Sequence, residues 1–190
     1  MQTAIPIRRA GEDDARALAA LAEKTFRSAF ADSNTTANME LHCAATYGPA
    51  LQLAEIRQSN IETWIAATDA GLAAYVQLGL DATLPLILGE RPVEIQRFYV
   101  EAAHHGAGLA HQFMAHVVDR AAAIGSTVLW LGVWERNSRA LAFYKKWSFD
   151  VVGEHVFTVG NDQQRDLILR RDVQWEEGDE SNPDPVQPEK

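Results

Sequence analysis

A mixed α/β fold, a sheet of parallel and antiparallel strands flanked by helices, is what this 190-residue chain predicts. Three observations carry the prediction. Two strand-like runs, 61–68 and 72–80, flank the turn Asp69-Ala-Gly71 and read as an antiparallel hairpin. A third run, 94–100, leads through a glycine loop into a helix with apolar residues at Leu109, Phe113, Val117, Ala121 and Ile124. The run after that helix, 127–134, is apolar on both faces, as a buried parallel strand is.

Residues 5–9 read as a first strand, and Glu12, Asp13 and Asp14 supply carboxylates suited to a helix N-terminus. Leu18, Leu21, Ala22, Thr25, Phe26 and Ala29 then share one helical face. The polar stretch 32–36 breaks that pattern and caps a second helical region running towards Tyr47. Pro49 interrupts it, and Leu51, Leu53, Ala54 and Ile56 mark another short helix. The hairpin follows, then a loop over 81–92 with two prolines and a glycine. Gly125 is placed to end the long helix. Asn137 opens a last helix through Ala140, Leu141 and Tyr144 to about Trp147, and runs 149–159 and 165–170 close the sheet as antiparallel strands. No internal repeat is visible. One domain over 1–174 is expected, followed by a disordered tail over 175–190.

The formal net charge is −9, which argues against nucleic acid. Six acids and one lysine between Glu176 and Lys190 account for −5 of it, so the body is only mildly acidic. The single cysteine, Cys43, allows no internal disulfide and suits a reducing compartment. No apolar run has signal-peptide or membrane-spanning length, so the expectation is a cytoplasmic protein without a membrane partner. His104, His105, His111 and His116 form no i,i+4 pair and no cysteine joins them, so no metal is expected. A nucleophilic role for Cys43 beside His42 lacks an oxyanion context, and a buried small side chain is the better reading.

The loop His105-Gly-Ala-Gly-Leu-Ala110 opens a helix, where unpaired N–H groups and the helix dipole favour an anion. By itself that is also the pattern of an ordinary helix start. It is not a P-loop, for no Gly-Lys-Ser/Thr follows, nor a dinucleotide fingerprint, for the third glycine is missing. Downstream, Asn137-Ser-Arg-Ala140 and Phe143-Tyr144 precede Ser148-Phe149.

Together, and in this order, these stretches resemble the GCN5-related N-acetyltransferases. That superfamily has a Q/R-x-x-G-x-G/A loop and an N-x-x-A-x-x-F-Y helix before a Gly-Phe pair. His105 stands where Gln or Arg is usual, and Ser148 where glycine is usual. A closer likeness, to bacterial spermidine/spermine acetyltransferases related to PaiA, runs through Thr25-Phe26, Phe30, Asn34, Asn38-Met39, residues 130–137 and 143–146, 157–160 and 166–169. The resemblance implies a mostly antiparallel sheet with one parallel pair formed by its fourth and fifth strands. It implies acetyl-CoA as cosubstrate, direct transfer in a ternary complex, and a primary amine acceptor, a polyamine first. A protein, peptide or other small amine, and a non-catalytic acyl-CoA-binding module, are its alternatives. A homodimer is compatible with it.

The resemblance also implies site residues. Backbone groups of His105, Gly106, Ala107, Gly108, Leu109 and Ala110 would hold the pyrophosphate. Phe98, Tyr99 and Val100 would pair with the pantetheine arm, and Asn137, Ser138, Arg139 and Lys146 would touch the cosubstrate from the other side. An alkylammonium, with a pKa of about 10.4, must lose a proton before attack, and the departing thiolate must gain one. Tyr144 is expected to supply the second; otherwise it is a core tyrosine. Glu94 is the candidate base, and strict alternation puts Glu94, Gln96 and Phe98 on one face and Ile95, Arg97 and Tyr99 on the other. Pairing of Glu94 with Arg97, or exposure to solvent, is equally compatible. Asp32, Glu40 and Glu154 are the acids considered for gripping a polycation. Trp130 and Trp134 read first as core.

Overall fold

The computed structural model describes residues 5–173; the tail expected over 175–190 lies outside them. The elements run β1 (Ile7–Arg9), α1 (Ala15–Phe30), α2 (Thr36–Thr46), α3 (Pro49–Ile56), β2 (Ile61–Thr68), β3 (Gly71–Gly79) and β4 (Val93–Val100). Then come α4 (Leu109–Ala123), β5 (Val128–Trp134), α5 (Ser138–Lys146), β6 (Asp150–Val159) and β7 (Asp162–Asp172). The seven strands form one sheet in the order β1-β2-β3-β4-β5-β7-β6. Every neighbouring pair is antiparallel except β4 and β5.

Local chemistry explains most boundaries. The Thr35 hydroxyl accepts from the Asn38 N–H and caps α2. Pro49 occupies the first turn of α3, so it starts that helix rather than merely ending the one before. The last strand begins at Asp162, earlier than the apolar pattern indicates. Its first residues, Asp162, Gln163 and Gln164, are polar and pair with the end of β6.

One face of the sheet packs on α4 and α5 through Val76, Leu78, Ile95, Phe113, Met114, Val117, Leu129, Leu131 and Leu169. The other packs on α1 and α2 through Leu18, Phe26, Met39, Ile65 and Tyr75. The loop 81–92 folds back on the second face, where Ile87 meets Trp130 and the Trp130 indole N–H donates to the Ala82 carbonyl at 2.8 Å.

Two irregularities shape the middle of the sheet. The first is a short pairing. Contact of β4 with β5 is confined to Val93–Leu129 and Glu94–Trp130; β4 then stays with β3 and β5 stays with β7. The parallel pair therefore opens into a V from a vertex at Glu94. The second is a bulge in β4. Gln77 pairs with Arg97 and Leu78 with Ile95, leaving Gln96 as the extra residue. A bulge breaks alternation, and here it overturns the strict one expected. Ile95, Phe98 and Val100 turn to the α4 side, whereas Arg97 and Tyr99 turn to the α1 side. There the Gln96 amide also reaches Glu94, donating to its carboxylate at 3.2 Å.

Candidate functional site

The V holds a cleft of about 870 Å³, lined by β4, the glycine loop, the start of α4, α5, the far ends of β5 and β7, and α1. A cavity of this size is typical of small-molecule sites.

Its α4 side is built largely from backbone. Gly106 and Gly108 have φ of +78° and +81°, and nothing lies within 4 Å of where a Cβ would stand. Only glycine adopts these angles without strain, and the missing side chains leave the N-terminus of α4 open to a ligand. His105 anchors this loop. Its Nε2–H donates to the Val100 carbonyl at 2.8 Å, and its Nδ1 accepts from the Arg139 guanidinium at 3.0 Å. The imidazole thus joins the end of β4 to the first turn of α5. Opposite, the edge of β4 beyond Glu94 has no strand beside it on the β5 side among the described residues.

Tyr144 closes this half. Helix α5 ends in a paired turn: the Ser148 N–H donates to the Lys145 carbonyl and the Phe149 N–H to the Tyr144 carbonyl, both at 3.1 Å. The turn requires a left-handed residue, and Ser148 supplies it with φ of 61°. It brings Phe149 edge-on to Tyr144 at 5.6 Å, while Phe143 and Phe98 pack on the same ring at 5.5 and 6.5 Å. Burial, with a smaller contribution from Tyr99, lifts the Tyr144 phenol above its ordinary range, so it is protonated at neutral pH.

The α1 side is built from side chains. Thr25, Phe26 and Phe30 of α1, Trp134 of β5, Phe157 of β6, and Gln164 and Asp166 of β7 line it. Phe26 stacks on His42 at 4.3 Å and Phe30 meets Trp134 edge-on at 6.0 Å. Asn34 accepts from the Gln164 amide at 2.7 Å and Asn38 from the Asn161 N–H at 3.1 Å, so the α1–α2 segment is pinned over the β6–β7 hairpin. Burial pushes the Cys43 thiol up, as befits an inert core cysteine.

Of the expected site residues, Phe98, Tyr99, Val100, His105, Gly106, Gly108, Leu109, Ala110, Asn137, Arg139 and Tyr144 line the cleft together. Ala107 and Ser138 sit beside lining residues without lining it, and Lys146 is exposed at the C-terminal end of α5. The Asn137 side-chain oxygen is occupied in capping α5, accepting from Ala140 N–H at 3.1 Å. Glu94 lies at the vertex, outside the lining, where burial raises its carboxyl and the Gln96 amide opposes that rise. It does not pair with Arg97, which bonds Glu55 at 2.7 Å. Asp32 and Glu40 are exposed, and Glu154 is engaged by Arg165; none of the three lines the cleft. Trp130 is core, but Trp134 lines the cleft.

Asp166, Gln164 and Gly132 are absent from the residues expected on sequence. A signal existed for the first: Asp166 is in phase with Ile168 on a strand, so an acid shares the face of a buried isoleucine. Among the described residues, no group of three His, Cys, Asp or Glu could hold a metal, and no helix is long and apolar enough to cross a membrane.

The cleft thus joins an open loop at a helix start, an unpaired strand edge and a buried phenol in one splayed sheet. The model of the acetyltransferase (GNAT) family matches residues 16–149. The chain belongs to that family. An uncharacterized N-acetyltransferase encoded in the pepI 3′ region of Lactobacillus delbrueckii subsp. lactis is 27% identical over 169 residues, covering 89% of this chain and 98% of the relative. Two solved structures share the fold. The PaiA N-acetyltransferase of Thermoplasma acidophilum, in complex with coenzyme A, superposes with a TM-score of 0.72 at 19% identity, over 90% of this chain and 99% of that one. Salmonella typhimurium yncA, solved with acetyl-CoA, gives 0.66 at 19% identity over 97% and 100%. The protein is therefore an acetyl-CoA-dependent N-acetyltransferase, and the open loop and unpaired β4 edge fit that cosubstrate.

Proposed function

We propose that the chain transfers acetyl to a primary amine by direct attack in a ternary complex, with polyamines such as spermidine and spermine as the acceptor class. The observation that carries this reading is the open V between β4 and β5, with the start of α4 on one side and Tyr144 beside it. Acetyl-CoA supplies the activated thioester; the remaining tasks fall to the chain.

Backbone N–H groups over 105–110 hold the pyrophosphate, and His105 keeps that loop in register with β4 and α5. The free edge at Phe98, Tyr99 and Val100 takes the pantetheine amides. Asn137, Ser138, Arg139 and Lys146 stand along α5 on the far side. Tyr144, held protonated by burial, donates to the departing sulfur. Glu94 biases the vertex electrostatically, since it stands behind the wall. A cationic acceptor is supported by Asp166, a carboxylate in the opposite wall with no hydrogen-bonded cation among the described residues. Residues 1–174 are read as one acetyltransferase domain acting in the cytoplasm.

The test is turnover by the purified chain, followed as free CoA thiol, over spermidine, spermine, monoamines, aminoglycosides, amino acids and peptides. Spermidine or spermine is expected to show the highest kcat/KM. Tyr144→Phe is expected to lower kcat by about 100-fold or more with CoA affinity nearly intact. Thiol release no faster than hydrolysis with every amine sinks the reading. Preference for a peptide or monoamine sinks the polyamine class alone.

A further inference from the structure

The acceptor wall contains a group with no structural explanation. Asp166 is 8% exposed, yet its Oδ1 is covered and has no hydrogen-bond partner among the described residues. Among the described residues the nearest basic side chain is His155, whose Nε2 stands 3.8 Å from Oδ2, outside hydrogen-bond reach. A buried carboxylate left in this state costs stability, and a neutral residue would pack there at less cost. An unsatisfied buried polar group in a native fold calls for an explanation, and a role in catalysis or binding is one.

Its surroundings are shaped around it. His155 comes from edge strand β6 and reaches across β7 towards β5, because Gly132 has no side chain; a Cβ there would stand 2.7 Å from His155 Nε2. The glycine within the otherwise bulky run Trp130-Leu-Gly-Val-Trp134 is thus the clearance for this imidazole. Position along the V matters too. Pairing of β4 with β5 ends at Trp130, whereas Asp166 pairs with Trp134, four residues farther on. At about 3.3 Å per residue that is roughly 13 Å up from the vertex where Glu94 sits, alongside Phe98 and Tyr99 on the facing arm.

We propose that Asp166 binds the acceptor ammonium and takes its first proton, and that His155 passes this proton to solvent; the assignment rests on the amine-acceptor reading above. The ammonium loses one proton to the Asp166 carboxylate, and the free amine forms the bond to the acetyl carbon. As the C–S bond breaks, Tyr144 gives its proton to sulfur and recovers the second proton left on nitrogen. The products are the amide, the thiol and one proton, which leaves through His155.

The electrostatics agree with the geometry. Burial lifts the Asp166 carboxyl to about 6, and His155 opposes that lift only in part. A base in that range is ionised at neutral pH and close to the working pH. The titratable groups facing it are His155 of β6 and, on β4, Tyr99 and, beyond His155, Glu94. Strand β5 presents Gly132 and Trp134; α1 presents Thr25, Phe26 and Phe30, none of which titrates here.

The experiment measures kcat/KM for the best amine of the panel from pH 5 to 9, KM for acetyl-CoA, and Tm, in the native chain, Asp166→Asn and His155→Gln. Asp166→Asn is expected to lose about 100-fold or more in kcat/KM for the amine at pH 7.5. Its acid limb near pH 6 should vanish while KM for acetyl-CoA stays within about twofold. His155→Gln should lose several-fold, with the limb displaced. Tm supplies a readout that a structural role would not give. A carboxyl raised on folding stabilises the fold below its unfolded pKa, and that contribution is lost as pH rises through about 6. Asp166→Asn should therefore match or exceed the native Tm at pH 8. A Tm several degrees lower at pH 8, equal loss of acetyl-CoA affinity, or an acid limb that survives in Asp166→Asn and disappears in Glu94→Gln overturns the assignment. If Asp166→Asn does not fold, an unchanged profile in His155→Gln overturns the proton exit, and full activity in Asp166→Glu with the limb unmoved overturns the base. A native chain that turns over no amine fells the acceptor reading and this assignment together. Native turnover matched by Asp166→Asn fells this assignment alone.

Discussion

The two walls of the V do different work with different materials. The α4 side offers backbone: a glycine loop with positive φ, the first turn of a helix, and a strand edge without a neighbour. The α1 side offers side chains drawn from four strands and one helix: Tyr99, Trp134, Asp166 and Gln164, and Phe157, roofed by Phe26, with His42 packed behind Phe26 and Phe157. On the proposed reading, the cosubstrate is met by groups every residue carries, so it needs only glycines and a helix start. The acceptor, on the same reading, is met by groups that can be exchanged one at a time without disturbing the strands beneath. The same physics sets their sensitivities. Damage to the backbone wall should affect cosubstrate binding, and damage to the side-chain wall should affect amine selection and proton transfer.

The largest effect should come from Gly108→Val. Its φ of +81° is hostile to a β-branched residue, so the loop must move before the side chain fits. Titration calorimetry with CoA should show affinity reduced by about 100-fold or more, with the fold retained, since the position touches no core side chain. Binding within tenfold of native would mean that the loop is not the anchoring element, and the division between walls would fail on its first side.

His105→Ala should be milder. It removes two hydrogen bonds, one of them to a guanidinium, without changing any φ in the loop. At about 0.5–1.5 kcal/mol for the neutral bond and somewhat more for the charged one, partly recovered by water, a rise of about 5- to 30-fold in KM for acetyl-CoA is expected. Amine KM should not change and kcat should stay within about twofold. A changed amine KM would show that the tether to Arg139 also sets the acceptor wall. A Gln at this position should restore part of the loss, because it can reach one of the two partners.

This contrast also governs how much of the molecule is legible in its sequence. The backbone wall is sequence-local: His105 to Ala110 are contiguous, and Asn137 and Tyr144 lie on one helix seven residues apart. The strands, the helix starts at Thr35 and Asn137 and the helix end at Gly125 are legible for the same reason, since caps and periodicity are properties of neighbours. The side-chain wall depends on register. Asp166 meets His155 only because β6 and β7 pair as they do, and His155 clears β5 only because Gly132 lies beneath it. The bulge at Gln96 breaks the alternation along β4, which no count on that strand alone predicts. The acids weighed from sequence, Asp32, Glu40 and Glu154, lie at the surface because carboxylates usually do; the informative exception is on a strand otherwise apolar inward.

The smallest effect bears on where the backbone wall ends. Ser148 sits at the left-handed position of the turn that closes α5, where its φ of 61° strains any residue with a Cβ. Ser148→Gly relieves that strain but adds chain entropy to the unfolded state, so the net gain should be about 0.5–1 kcal/mol. In a chain of this size that is a rise of about 1–4 °C in Tm, measurable by calorimetry. The two turn hydrogen bonds and the Phe149–Tyr144 contact should persist, because they are made by the backbone and by the next side chain. If Ser148 is only a strained C-terminal residue, kcat and both KM values stay at native levels while Tm rises. If kcat falls as Tm rises, the strained turn is what holds the Tyr144 phenol at the sulfur. A helix end then belongs to the catalytic wall, and the boundary between the two materials runs through α5 rather than along the V.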